Sequence, residues 1–220
     1  MRDNAAIWVI DDGHKHEAQF SQDRFHALMP DVDIVTLTPK PESVYLKGWY
    51  AKYIRELIKS FAMPYRRFVF FDSDTYLISP IPDVYEVLDH YPIVGTHAPA
   101  RWTCPTPYPI PDAFPELNTG VLGYANGNEA HALINYWLQT MVDFFDAFGD
   151  NDQGSLRVAL WECKTPIWIM PPEYNCRFGF GGFAGSPVKV LHGRGTNFEL
   201  AAKVVNHSNT MRIWSGQDFK

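Results

Sequence analysis

The sequence is poor in cysteine. Its three thiols, Cys104, Cys163 and Cys176, are odd in number and form no Cys-x-x-Cys pair, so neither a disulfide framework nor a zinc cluster is favoured and unpaired, inert thiols are expected. Positive charge is also short: Lys+Arg 19 against Asp+Glu 25 leaves a formal net charge of −6, and the nearest thing to a basic patch is the pair Arg66 and Arg67. A polyanion such as nucleic acid is excluded as the expected partner. No apolar run approaches the length of a membrane span, and MRDNAAIWVIDDG lacks the basic region and long apolar core of a signal peptide, which predicts a soluble, cytoplasmic protein. A phosphate-binding glycine loop is missing too. EYNCRFGFGGFAG, residues 173 to 185, is rich in glycine but contains no Gly-Lys-Ser/Thr and does not join a strand to a helix, and it reads as a flexible surface loop.

What is present fits an ordinary globular chain. A length of 220 residues with 46% hydrophobic residues suits one domain with a substantial core, and Gly 15 with Pro 17 is no signal of disorder. In the first half, strands and helices alternate, which predicts crossover connections and a largely parallel sheet. AAIWVI (5–10) reads as a strand running into Asp11, Asp12 and Gly13; a helix is expected near 17–28, a strand at DIVTL (33–37), and a helix over 49–61, where Tyr50, Tyr53, Ile54, Leu57, Ile58 and Phe61 recur at helical spacing. VYEVLDHY (84–91) reads as a short helix and PIVGTH as a strand. Residues 98–117 carry six prolines and no periodicity, so they predict a long loop forming a wall or lid. LNTGVLGY reads as a strand. A capping box from Asn126 to Glu129 should then open a helix with the stripe Ala130, Leu133, Ile134, Trp137, Met141, Phe145 and Phe148, which is core packing. A helix after Asp152 and a strand at PIWIM complete the second half before VKVLHGRG.

One segment carries chemistry. In FVFFDSDTYL (68–77), four apolar residues lead straight into Asp72, Ser73 and Asp74. Such a run suits a strand covered on both faces, and ligands collect at the carboxyl ends of strands in open α/β sheets. Asp-x-Asp occurs three times, also at Asp31/Asp33 and Asp150/Asp152, so it is the setting of the middle copy, and not the tripeptide, that points to a cation site. The competing reading is a capped strand end. His192 follows an alternating strand, with Gly193 and Gly195 allowing close backbone approach to a ligand; by itself it reads first as a buried histidine bonded to a backbone carbonyl.

Five separated segments, KGWYAKY (47–53), the strand ending in Asp72-Ser73-Asp74, ELNTGVLGY (116–124), Asp152-Gln153 and VKVLHGRG, give the chain a resemblance to nucleotide-diphospho-sugar transferases of the GT-A type, in particular the glycogenin and bacterial lipopolysaccharide galactosyltransferase group. The resemblance implies a single-domain α/β fold over 1–220 with a mixed, mainly parallel sheet flanked by helices. Residues 1–97 would bind the nucleotide and 98–220 the sugar and acceptor. It implies a metal-dependent glycosyltransferase moving a sugar from a nucleoside-diphosphate donor to a glycan or other hydroxyl acceptor, with retention of anomeric configuration.

Residue by residue, it implies that Asp72, Asp74 and His192 ligate a divalent metal and that Asp72 also reaches the ribose. Carboxylates with one imidazole suit Mn²⁺ better than Mg²⁺. Lys52 would contact the donor, its competing reading being a solvated lysine. Asn118 and Gly120 would meet the donor sugar, and Asp152 with Gln153 would sit against its reactive face, although Asp152 also reads as a helix N-cap. The family's Lys-Pro-Trp after the histidine is replaced here by HGRGTNFELAAK, leaving Gly193 and Arg194 as the expected diphosphate contacts. The start departs as well: AIWVIDDG would correspond to the family's second strand, so that either part of the base pocket is missing or Asp11 and Asp12 stand in for it. The acceptor would lie against residues 98–117 and 176–187, where Trp102, Tyr108, Phe178, Phe180 and Phe183 could stack on sugars or pack the loops down. The alternatives are a non-catalytic sugar-nucleotide or glycan-binding module of the same fold and, further off, a haloacid dehalogenase-like phosphatase.

Overall fold

A computed structural model describes residues 2–39, 46–99, 106–148, 151–194, 197–208, 210–215 and 218. In chain order the first half comprises β1 (Arg2–Val9), α1 (Lys15–Leu28), β2 (Asp33–Leu37), α2 (Trp49–Ser60), β3 (Tyr65–Phe71), β4 (Thr75–Leu77), α3 (Pro82–Val87) and β5 (Ile93–His97). The second half comprises β6 (Leu117–Ala125), α4 (Asn128–Asp143), α5 (Phe145–Phe148), α6 (Asp152–Cys163), β7 (Ile167–Met170), β8 (Gly182–Ala184), β9 (Val190–His192), α7 (Phe198–Val205) and β10 (Arg212–Trp214).

Six strands form one sheet in the order β2-β1-β3-β6-β5-β7. β6 runs antiparallel to both neighbours, while β1–β2, β1–β3 and β5–β7 are parallel, giving the mixed, mainly parallel sheet that the alternation of elements predicts. Because a strand turns successive side chains to opposite faces, the uninterrupted apolar runs feed two cores. Ala5, Ile7, Phe68, Phe70, Leu122 and Tyr124 meet α2, α4 and α6 on one face. Ala6, Trp8, Val69, Phe71 and Val121 meet α1 and α3 on the other. A third cluster joins Tyr76, Cys176, Phe178, Leu191, Ala201 and Trp214, holding β4, β9, α7 and β10 together at the carboxyl end of β3. Among the described residues, no helix is long and apolar enough to cross a membrane.

Several sequence expectations change. Gly127, not Asn126, is the N-cap of α4, and its helix makes no side-chain cap; Asn126 instead donates to the Tyr65 carbonyl at 2.8 Å, closing the turn beside β3. The apolar stripe breaks after Asp143, and Phe145 and Phe148 belong to the separate turn α5. The helix expected over 84–91 is shorter and earlier, at Pro82–Val87. Residues 173–185 are not a flexible surface loop. Cys176 is buried and pairs by a β-bridge with Leu191, Phe178 and Ala184 are buried, and β8 pairs with β10. Aromatic burial outweighed glycine content here. Of the expected loop at 98–117, the described part holds no helix or strand before β6 and is tied down by Arg157, whose Nη2 donates to the carbonyls of Pro111 (2.9 Å) and Phe114 (3.1 Å). Tyr108 packs on the small cluster of Ile110, Phe148 and Val158. Trp102, Cys104 and Gly195 lie outside the described residues.

Phe71, the last residue of the strand that delivers the acidic motif, stacks on Trp8 (centroids 5.0 Å apart) and meets Phe25 (5.3 Å). Truncating a phenylalanine so enclosed costs about 3–5 kcal/mol. The Phe71→Ala variant is expected to unfold at correspondingly lower urea concentration in a two-state titration with an unchanged slope.

Candidate functional site

The acidic motif forms a turn at the carboxyl end of β3. The Asp72 amide donates to the Gly120 carbonyl (2.9 Å), while the Thr75 amide (3.2 Å) and hydroxyl (2.8 Å) both donate to the Asp72 carbonyl. The chain then enters β4, which pairs antiparallel with β9 so that Thr75 stands opposite His192. This short pairing carries His192 from the far end of the chain onto the two carboxylates. His192 Nε2 lies 3.4 Å from Asp72 Oδ2 and 3.4 Å from Asp74 Oδ1.

Room for the imidazole comes from β6. The β5–β6 register jumps between Gly95 and Thr96, leaving Thr119, Gly120 and Val121 without partners on β5. At Gly120 a Cβ would stand 1.9 Å from His192 Cε1, so only glycine admits the ring. Gly193 follows with φ +147°, a conformation that side-chain-bearing residues rarely adopt, and donates to the Asp74 carbonyl at 3.0 Å.

Asp72, Asp74 and His192 are the described group of metal-ligating side chains, with one donor atom each and all three atoms within 4.8 Å of one another. Ligands held about 2.0–2.6 Å from a shared ion stand roughly 3–5 Å apart, so spacing and donor types both fit a divalent cation. Asp72 is part-exposed, whereas Asp74 and His192 are buried. Burial alone would favour the neutral acid at Asp74, yet the hydrogen bond and charge of His192, with Arg194 and Arg177 nearby, outweigh it and hold the carboxyl down at about 2. For His192, burial works against the imidazolium, and Asp72 and Asp74 overcome it to raise the pKa. Arg177 Nη1 stands 2.9 Å from His192 Nε2; a guanidinium only donates, so this contact needs the neutral ring, whereas a hydrogen bond from Nε2 to Asp74 needs the imidazolium.

Behind the histidine runs a chain of amides. Asn175 joins His192 Nδ1 (2.9 Å) to Asn118 Oδ1 (2.8 Å), and Asn118 Nδ2 donates to Gln153 Oε1 at 2.8 Å. The bland reading of His192, bonded to a backbone carbonyl, is thus replaced by a side-chain partner. Asn151, not Asp152, caps α6, its Oδ1 accepting from the amides of Gln153 (3.1 Å) and Gly154 (3.3 Å). Asp152 is the first helical residue, buried, and accepts from the Tyr53 hydroxyl at 3.2 Å.

A cleft of about 490 Å³ opens over this group, lined among others by Asp11, His14, Tyr50 and Arg177. Asp11 therefore reaches the site from the end of β1, the strand paired directly with β3, while Asp12 points to solvent and pairs with Lys15 at 2.5 Å. Arg194 lines the cleft and is held by Glu17, which also accepts from Ser73. Lys52 is half-buried on α2 and outside the lining, which Trp49 and Tyr50 supply from the same helix. Phe178 is buried in the third core and has no face free for a ligand; Phe183 is exposed and lines a neighbouring cavity of about 360 Å³ that shares Arg177 with the cleft. Phe180 lies under the Arg177 guanidinium at 5.4 Å. Sequence reading missed Tyr53, Asn175 and Arg177. Tyr53 sat in an apolar stripe, and the other two sat in the segment set aside for its glycines, although Asn175 lies just beyond the carboxyl end of β7, where ligands gather in such sheets.

Burial, with the charge of Asp72, pushes the Asp152 carboxyl up to about 7, against the hydrogen bonds of Thr119 and Tyr53. A carboxyl raised above its unfolded value of about 3.9 makes the folded state retain a proton that the unfolded chain releases, so stability falls as pH rises from about 4 to about 7 and levels off above. Asp152→Asn removes this loss. In chelator-treated protein, its unfolding free energy relative to the parent should climb across that window by on the order of 2–4 kcal/mol, measured by urea titration at several pH values; a flat difference would show that Asp152 is ionised in the fold.

No family model matches the chain, and no curated protein matches it significantly. Solved structures do. It superposes on the galactosyltransferase LgtC, crystallised with donor and acceptor sugar analogues, over 87% of each chain at 12% identity and a TM-score of 0.62. A glycosyltransferase involved in glycosylation of the major capsid of PBCV-1 matches 94% of this chain and 100% of its own at 15% identity and a TM-score of 0.60. Mouse xyloside xylosyltransferase 1 in its apo form matches over 87% and 98% at 13% identity and 0.54. Likeness at such low identity speaks for architecture, and the chain has the fold of the GT-A glycosyltransferases.

Proposed function

We propose that the protein is a metal-dependent glycosyltransferase that moves a sugar from a nucleoside-diphosphate donor to a hydroxyl acceptor with retention of configuration. The observation that supports this reading best is the joint placement, at the carboxyl end of β3 in a GT-A fold, of a three-donor cation group and the Asn118-Gln153 pair, linked through Asn175. Asp72, Asp74 and His192 would hold Mn²⁺ or Mg²⁺. When bound, such an ion offsets the charge that develops on a departing nucleoside diphosphate.

The chain's own residues supply the rest. Arg194, steadied by Glu17, offers a guanidinium to the diphosphate beside the carboxylates. Gly120 admits the His192 ring, and Gly193 brings the end of β9 against the Asp74 carbonyl. Asn118 offers its amide to the donor sugar. Asp152 and Gln153, buried and outside the cleft lining, would turn oxygens to the anomeric carbon, whose oxocarbenium character in the transition state makes a nearby oxygen an electrostatic stabiliser. Asp11, at the end of β1, stands where it can meet the nucleoside. Lys52 would reach the donor only by extending from α2. Phe183 and the cavity it lines offer an apolar face to the acceptor.

The test combines binding and turnover. A thermal-shift panel of UDP-, GDP-, CDP- and dTDP-sugars with Mn²⁺ or Mg²⁺ is expected to show stabilisation by one base class, dependent on the metal, because a ligand at 100 times its dissociation constant stabilises by about 2.7 kcal/mol. The same donor should be slowly hydrolysed to nucleoside diphosphate. Asp74→Ala is expected to abolish both effects while the protein remains folded. Stabilisation without release of nucleoside diphosphate would identify a binding module instead, and release of phosphate from para-nitrophenyl phosphate would identify a phosphatase.

A further inference from the structure

We propose that Asn175 is a positioning residue that fixes the tautomer of His192, and that the direction of its hydrogen bonds is dictated by the backbone amide of Gly120. The inference rests on the reading of Asp72, Asp74 and His192 as metal ligands.

The Gly120 N–H can only donate, and it donates to Asn118 Oδ1 at 3.2 Å. That fixes which end of the Asn118 amide is oxygen and turns its Nδ2 toward Gln153 Oε1 at 2.8 Å. The atom of Asn175 that meets Asn118 Oδ1 at 2.8 Å must then be the donor, Nδ2, so the Asn175 oxygen is the atom facing His192 Nδ1 at 2.9 Å. An amide oxygen only accepts, and His192 Nδ1 must therefore carry the hydrogen. In the neutral ring this leaves a lone pair on Nε2, the nitrogen facing Asp72 and Asp74.

An independent contact gives the same answer from the other side. Arg177 Nη1, which can only donate, lies 2.9 Å from Nε2, and in the neutral ring this requires Nε2 to accept. The network is deeply buried: Asn118, Gln153, Asn175 and His192 are each 6% exposed or less. Solvent is thus a poor substitute for any lost partner, and a wrong tautomer would leave buried polar atoms unmatched. A histidine ligand whose second nitrogen is held by an oxygen acceptor is oriented and made more basic toward a metal. Here that holder is the oxygen of Asn175, and through Asn118 the same chain reaches Gln153 on α6, so the cation group and the pair assigned to the sugar share one rigid set of bonds.

The test reads the tautomer directly. In chelator-treated, ¹⁵N-histidine-labelled protein in mildly alkaline buffer, long-range ¹H–¹⁵N spectra are expected to show His192, identified by its absence in His192→Gln, as the Nδ1–H form. Asn175→Leu should lose that single form and bind Mn²⁺ about 10- to 100-fold more weakly by titration calorimetry. Asn175→Asp, which keeps an oxygen acceptor for Nδ1 but gives up the N–H donated to Asn118 Oδ1, should restore the Nδ1–H form and recover part of the Mn²⁺ affinity lost in Asn175→Leu. An Nε2–H ring in the parent overturns the proposal, as does an Asn175→Leu variant with the parent's tautomer and affinity. If Asn175→Leu fails to fold, the parent spectrum and the Asp variant decide. Failure of the parent to bind Mn²⁺ would overturn the metal reading alone, since the tautomer is measured without metal.

Discussion

The contact between the His192 ring and the bare backbone of Gly120 is the constraint around which the rest of the site is arranged. The imidazole lies where a Cβ would be, a position that exists because the β5–β6 register jumps just there. Moving the ring outward would take Nε2 away from both carboxylates and Nδ1 away from Asn175. The remaining features keep it in place: the β4–β9 pairing sets its height, the extended glycine at 193 ends the strand, and the third apolar cluster holds the segment that carries it.

Around this fixed point the protein places two kinds of carboxyl. Asp74, beside His192 and within the field of two arginines, is held strongly acidic; Asp152, buried beneath Tyr53 and facing the charge of Asp72, is held weakly acidic. Environments that drive two carboxyls apart give them separate tasks. One keeps a permanent negative charge for a cation. The other is poised to change charge with what occupies the cleft, because a cation beside Asp72 would cancel the repulsion that helps keep Asp152 protonated.

Much of this was legible from residue order. The apolar run into Asp72 and Asp74 reads as a doubly covered strand because every one of its residues has a buried face to fill, and β3 is such a strand. His192 at a strand end and Asp152-Gln153 at a helix start are also where periodicity puts them. What was illegible depends on partners far away in sequence. Whether Asn126 caps α4 or closes a turn is decided by the Tyr65 carbonyl, and Asn151 out-competes Asp152 as cap because Tyr53 and Thr119 already hold the Asp152 carboxyl. Asn175 and Arg177 looked like loop residues since a glycine-rich stretch carries no period; burial of Cys176 and Phe178, which alternate with them, is what turns both toward the site.

The pairing of β4 with β9 joins two distant parts of the chain. Asp74 and His192 are separated by most of the second half of the chain, so joining them requires closing a very long loop, with an entropic cost that grows only as the logarithm of its length. β5, β6 and the three helices between β6 and β7 all lie within that loop. An ion gripped by both would act as a removable cross-link over that loop, tying the end of the chain to its middle and letting occupancy of the cleft report that the whole molecule has closed.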